Sequence, residues 1–313
     1  MTETSPWMLI RGSEAEVKTE LINAALQAAP AAIRDGQSLL PRTRGTSGRC
    51  RLCGSSDPLT IEHVPPRSSG NAHRIRMHDV RDWLERESLD ELPGGSIEQG
   101  GIWGYTLCAA CNSGTGRLSD SYRRWAAIAA KLLAELRPIS EMNQDHQSKL
   151  LGVQIEKTQP GAFVRQVMSL MFSISGDWGL RDNYPELAQA VLDGSACTFP
   201  TDLFLGMVLC AGPMALACGP SLIIDAKSQT WRWVVVLAYP PLAFELELAR
   251  SLPAPRPTPA CGIGDFFEVP ERAIATVDLS LPLAFTNTAF PGDWRTRAQI
   301  ELGLDLDGSQ SDR

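Results

Sequence analysis

Two pairs of cysteines at one spacing, Cys50-x2-Cys53 and Cys108-x2-Cys111, carry the clearest chemistry in the chain. Each C-x2-C turn aims two sulfurs at one point, and two such turns supply the four thiolates of a tetrahedral structural zinc site. Disulfide pairing, the competing use, fits poorly with a reducing compartment. Cys197, Cys210, Cys218 and Cys261 show no such spacing and read as buried thiols. Glu62-His63 lies nine residues after Cys53, and Asn112 directly follows Cys111. An ion clamping the two knuckles would bring the Glu62-His63 strand beside the Asn112 turn, although 54 residues separate Cys53 from Cys108.

Those three side chains are the types that phosphodiester hydrolysis needs. The reaction takes a water nucleophile, a base to deprotonate it and a hard cation to neutralise the phosphoryl oxygens. Imidazole, with an ordinary pKa of ~6.5, is largely neutral at cellular pH, so His63 is the candidate base. Mg²⁺ or Mn²⁺ takes a few oxygen ligands and keeps several waters, so the Glu62 carboxylate and the Asn112 amide oxygen would suffice. Zinc would build this site without joining the reaction.

The order C-x2-C, acidic residue plus His, then C-x2-C-Asn with a following glycine resembles the zinc-bearing HNH endonucleases with a ββα-metal active site. The recombination endonuclease VII branch is the most similar, and the resemblance covers residues 48–125. It implies an α+β fold: a zinc-stabilised ββα-metal (HNH) nuclease module with a second α+β domain. It also implies DNA as substrate, His63 as general base, Glu62 and Asn112 as ligands of a catalytic Mg²⁺ or Mn²⁺, and Cys50, Cys53, Cys108 and Cys111 as structural zinc ligands. The helix that completes ββα would be 117–135. Two departures stand out. Glu62 occupies a place where many members have Asp, and IWGYTL fills the stretch where many carry an Asn that orients the catalytic His. A backbone carbonyl or a residue of the insertion at 68–100 must then fix the His63 ring.

The elements around these residues follow from composition. A chain of 313 residues with 43% apolar side chains is long enough for two domains. The net charge of −7 excludes a polycation that coats nucleic acid indiscriminately. Charge is uneven, however: residues 1–150 balance 18 basic against 18 acidic side chains, whereas 151–313 hold 11 against 18. Between residues 42 and 81, eight arginines face three acids, a local excess of five. Arg67, Arg117, Arg123 and Arg124 lie beside the motif and are the candidate phosphate contacts.

The expected organisation is an N-terminal helical extension and linker (1–44), the nuclease domain (45–137) with its insertion, and an α+β domain (150–313) of sensor, partner-docking or specificity type. Ser13 and Glu16 have capping-box spacing for a helix to Ala29. Tyr122, Trp125, Ile128 and Leu132 recur at helical period, GAFVRQVMSLMFSI reads as a buried helix, and 203–211, 221–225, 231–239 and 242–248 read as strands. The 22 uncharged residues between Asp202 and Asp225 match a bilayer span, but Gly206, Gly212, Pro213, Gly219 and Pro220 break them into strands. No membrane partner is expected. The opening MTETSPWMLIRGSEAE lacks a basic stretch followed by an apolar one, so a cytoplasmic setting is expected. Together these readings predict an HNH endonuclease acting on DNA, in phage defence by analogy with modules joined to unrelated sensing domains. The alternatives are an inactive zinc-stabilised module that binds nucleic acid or protein, and an RNA-cleaving toxin. A partner protein or oligomer would bind through 150–313.

Overall fold

The apolar, β-branched runs after Asp202 form strands whose two faces are both buried, which is why they read as nearly continuous apolar stretches. The computed structural model describes residues 8–11, 20–21, 48–77, 95–135, 150–176, 179–212, 214–225, 229–250 and 260–285. In chain order the strands and helices are β1 (Met8–Arg11), β2 (Leu59–His63), β3 (Ile75–Met77), β4 (Ser96–Glu98), β5 (Trp103–Cys108), α1 (Ala109–Gly116), α2 (Ser119–Glu135), β6 (Leu150–Thr158) and α3 (Pro160–Ile174). There follow α4 (Leu180–Asn183), α5 (Pro185–Asp193), β7 (Phe204–Ala211), β8 (Leu216–Asp225), β9 (Thr230–Tyr239), β10 (Leu242–Arg250), β11 (Cys261–Gly262) and β12 (Ala275–Phe285). Turns of 3-10 type occur at Arg67–Ser69 and Gly264–Glu268. The fold is mixed α+β.

One sheet of eight strands, in the order β1-β8-β9-β10-β7-β12-β6 with β11 also on β7, dominates the chain. Most neighbours are antiparallel, while β1 runs parallel to β8 and β12 parallel to β7. Trp233, Val235 and Leu237 of β9 face the main core, and the alternate residues Val234, Val236 and Ala238 face a second cluster of small side chains. Among the described residues no helix is long and apolar enough to cross a membrane. The uncharged stretch after Asp202 forms β7 and most of β8.

The helix that covers the sheet is α3, all fifteen of whose residues are buried. A helix this rich in apolar side chains is stable only inside a core. Pro160 opens it at a position where no intrahelical amide is needed. Near this start, Arg165 donates to the carbonyls of Gly161, Ala190, Ser195, Phe267 and Val269. Those five donors, all satisfied by backbone, fasten the helix to α5 and to the turn at Gly264–Glu268. Trp125 of α2 stacks on Phe163 with ring centroids 4.2 Å apart, which sets α2 against α3.

Three expectations change. The N-terminal extension contributes a strand: Met8 to Arg11 pair with Leu222 to Asp225 on the edge of the sheet, a non-local partner that no local pattern reveals. Of the helix expected there only Glu20 and Leu21 are described, and both are helical. The start of the 150–313 domain, where no strand is expected, holds β6, whose alternating burial marks an edge strand with one wet face. Finally, Leu52, Val64 and Leu107 belong to the same buried apolar cluster as Phe163, Met168 and Trp233. The boundary expected near 137–150 divides the sequence, but the core runs across it. Much of the insertion expected at 68–100, residues 78–94, lies outside the described residues.

Candidate functional site

The Sγ atoms of Cys50, Cys53, Cys108 and Cys111 all lie within 4.8 Å of one another. Cys53 Sγ is 3.7 Å from Cys108 Sγ, and sulfurs bound to one tetrahedral zinc at ~2.3 Å are about 3.8 Å apart. Gly54 closes the first knuckle at φ +77°, donating its N–H to the Cys50 carbonyl at 2.8 Å. The Ser55 and Cys108 amides point at Cys53 Sγ (3.5 Å) and Cys50 Sγ (3.3 Å). Cys108 also caps the N-terminus of α1, where the helix dipole favours thiolate. The Cys50 thiol is lowered to about 4 chiefly by its hydrogen bond with Cys111, whose own thiol is pushed up by the same contact and by burial. Crowded thiols thus resist a full set of negative charges, and a dication relieves that repulsion. Four cysteines this close could bind a metal such as zinc.

From this cluster the chain runs into an antiparallel pair, β2 and β5, followed at once by α1. The register pairs His63 with Trp103 and Glu62 with Gly104, then shifts between Ile61 and Thr60 so that Thr106 is the extra residue of a bulge. Asn112, on the first turns of α1, reaches back to β2: its Nδ2 donates to the Ile61 carbonyl at 2.6 Å and to Thr60 Oγ1 at 3.0 Å. A carbonyl only accepts, so this contact fixes which amide atom is nitrogen. Asn112 Oδ1 accepts no hydrogen bond among the described residues and is the atom able to ligate a cation. The helix that follows the second cysteine pair therefore places Asn112 against the peptide that links Ile61 to Glu62.

Glu62 turns inward and is only 5% exposed. Its Oε2 accepts from Thr106 Oγ1 at 2.9 Å and from Ser173 Oγ at 2.5 Å. Burial raises its carboxyl to about 7, while the two hydroxyls pull the other way. A carboxylate so placed gains much from a nearby dication. Both hydroxyls use one oxygen, and Oε1 remains the candidate ligand atom.

His63, next along β2, faces the opposite side of the strand and is half-buried. Burial first, and the Arg67 guanidinium second, push its pKa below the ordinary imidazole value; the Gly100 carbonyl, which accepts from the ring, works against them. The imidazole is thus neutral near pH 7, as a base requires. Gly100 stands at φ +82°, as does Gly101. A Cβ at Gly101 would lie 2.0 Å from Asn71 Oδ1, so glycine is required there. Asn71 is fully buried and donates to the Pro65 and Ile102 carbonyls (2.7 and 2.8 Å) while accepting from the Ile102 N–H at 2.7 Å. It ties the chain after His63 to the chain before β5.

The four arginines fare differently. Arg67 is exposed and close enough to His63 to shift its charge equilibrium. Arg117, expected at phosphate, instead pairs with Glu271 (NH2 to Oε2, 2.7 Å) and donates to the Val191 and Leu192 carbonyls. It follows α1 directly, where the end of α5 lies within reach. Arg123 is exposed and pairs with Asp120 at 3.1 Å, and Arg124, also exposed, donates to the Lys157 carbonyl at 3.3 Å. The helix directly after the second knuckle is α1, not 117–135; α2 packs on α3 and on the Arg67–Ser69 turn.

Sequence reasoning missed Asn71, Gly100, Thr106 and Ser173. The Gly100-Gly101 pair signals a turn, and Asn71 sits inside what reads as an insertion, although its side chain is built into the site. Nothing local marks Ser173, which is 111 positions from Glu62. No protein-family model, curated protein or solved structure matches this chain.

Proposed function

We propose that the chain is a metal-dependent endonuclease of the HNH type that hydrolyses phosphodiester bonds in DNA, with the knuckle cluster holding structural zinc. The observation that supports this reading is the contact of Asn112 Nδ2 with the Ile61 carbonyl at 2.6 Å, which anchors the Asn112 amide at the peptide before the Glu62-His63 dipeptide. Glu62 Oε1 and Asn112 Oδ1 would hold Mg²⁺ or Mn²⁺, which would supply charge neutralisation at the phosphate when bound. His63 takes a proton from the attacking water, held in its neutral form by burial and in its orientation by the Gly100 carbonyl. Arg67 meets a phosphate oxygen near the site. Nicking of supercoiled plasmid by the full chain with added Mg²⁺, compared with His63→Ala, tests the reading.

A second reading is a zinc-stabilised binding module without catalysis. It draws on the burial of Glu62, whose Oε2 is already bonded to Thr106 and Ser173. Duplex binding without metal-dependent cutting supports it, and cutting of structured RNA in preference to duplex DNA supports an RNA-cleaving toxin.

A further inference from the structure

We propose that Ser173 of α3 is a positioning residue for the cation site, so that the sheet-covering helix completes a centre whose other parts come from residues 50–112. The inference rests on the reading of Glu62 as a cation ligand. A serine inside a helix ordinarily returns its hydroxyl to the carbonyl four residues earlier. Ser175 does so toward Met171, and Thr115 does so toward Cys111. Ser173 instead donates at 2.5 Å to Glu62 Oε2.

The end of α3 is held in place for this. The Arg51 guanidinium, between the two cysteines of the first knuckle, donates to the Ser173 carbonyl. One residue of α3 is thus fixed through its backbone to the thiol cluster and through its side chain to the carboxylate. At the other end Arg165 pins the helix to five carbonyls, so α3 has little freedom to withdraw. Thr106 reaches the same oxygen from the bulge in β5. Two donors on Oε2 lock the carboxylate plane and turn Oε1 toward whatever it ligates. Outer hydrogen bonds of this kind are worth about 10- to 100-fold in metal affinity.

The test is a calorimetric titration of the zinc-loaded full chain with Mn²⁺ alone, on wild type, Ser173→Ala, Ser173→Thr and Glu62→Gln, with the Mg²⁺ dependence of plasmid cutting read in parallel. The expected results are Mn²⁺ binding that Glu62→Gln removes, about 10-fold weaker binding in Ser173→Ala, and recovery in Ser173→Thr. Half-saturating Mg²⁺ for cutting rises with the loss of affinity, whereas the rate at saturating Mg²⁺ and the zinc content do not change. Ser173→Ala binding Mn²⁺ as wild type does, while Glu62→Gln abolishes binding, overturns the role of Ser173 and leaves the Glu62 site standing. Weak binding that threonine does not restore also overturns it, since packing rather than the hydroxyl is then responsible. Absence of any Glu62-dependent binding in wild type overturns the cation site itself.

Discussion

The Ser173 hydroxyl lies 2.5 Å from Glu62 Oε2, and through it the helix that covers the large sheet touches the carboxylate that precedes the candidate base in sequence, on the opposite face of β2. The carboxyl is 5% exposed and raised from 4.5 to about 7 by burial. The fold therefore disfavours the ionised form. Its penalty is absent well below pH 4.5, grows between 4.5 and 7, and is complete above 7. In magnesium-free buffer Glu62→Gln should be more stable than wild type by about 3 kcal/mol at pH 8, falling to about 1 kcal/mol at pH 5. Urea melts at the two pH values check this, and equal gains at both would contradict it.

Gly101→Ala should be among the most damaging single changes. It forces a Cβ to within 2.0 Å of Asn71 Oδ1 on a backbone at φ +82°. Asn71→Ala removes three buried hydrogen bonds and leaves carbonyls unsatisfied, costing about 2–4 kcal/mol. Both should reduce cutting further than the loss of folded protein explains, because the Gly100 carbonyl would no longer orient His63. Activity per folded molecule, from melts and nicking rates on one preparation, decides.

Arg117 and Arg67 should separate stability from nucleic-acid affinity. Arg117→Ala breaks the partly exposed pair with Glu271 and two carbonyl contacts, lowering stability by about 1–2 kcal/mol with no change in the salt dependence of DNA binding. Arg67→Ala should leave the melting temperature alone and reduce the slope of log K against log salt by about 1. Fluorescence anisotropy at four salt concentrations measures both slopes.

Cys108→Ser removes one sulfur from the cluster while leaving a residue suited to the N-cap position of α1, so its effect reads the loss of the thiolate. Elemental analysis should find one zinc per wild-type chain and less in the variant, with a melting temperature lower by about 10 °C or more. A folded wild-type chain without bound metal would contradict the clamp.

The parts of this molecule legible in the sequence are those written in local pattern. The two C-x2-C turns, the helical period from Tyr122 to Leu132, the apolar run that becomes α3 and the runs that become β7, β9 and β10 each announce themselves within a dozen residues. What escaped depends on pairing at a distance. Met8–Arg11 is a strand only because the edge of β8 receives it. Asn71 reads as part of a loop because the partners of its three hydrogen bonds, Pro65 and Ile102, are defined by the fold. Arg117 reads as a phosphate ligand until Glu271 takes it, 154 positions away. Ser173 is one hydroxyl in an apolar helix, and only the arrival of β2 beside it gives that hydroxyl a partner.

On the proposed function His63 is the general base in a metal-dependent cleavage of DNA, and the rate of plasmid nicking as a function of Mg²⁺ and pH, for wild type and His63→Ala, tests that role. A general-base His63 gives a Mg²⁺-dependent rate that falls about 10²- to 10⁴-fold in the variant at unchanged zinc content, and a wild-type acidic limb below the ordinary imidazole value of 6.5. Equal rates in the two proteins, or cutting that needs no divalent cation, would contradict it.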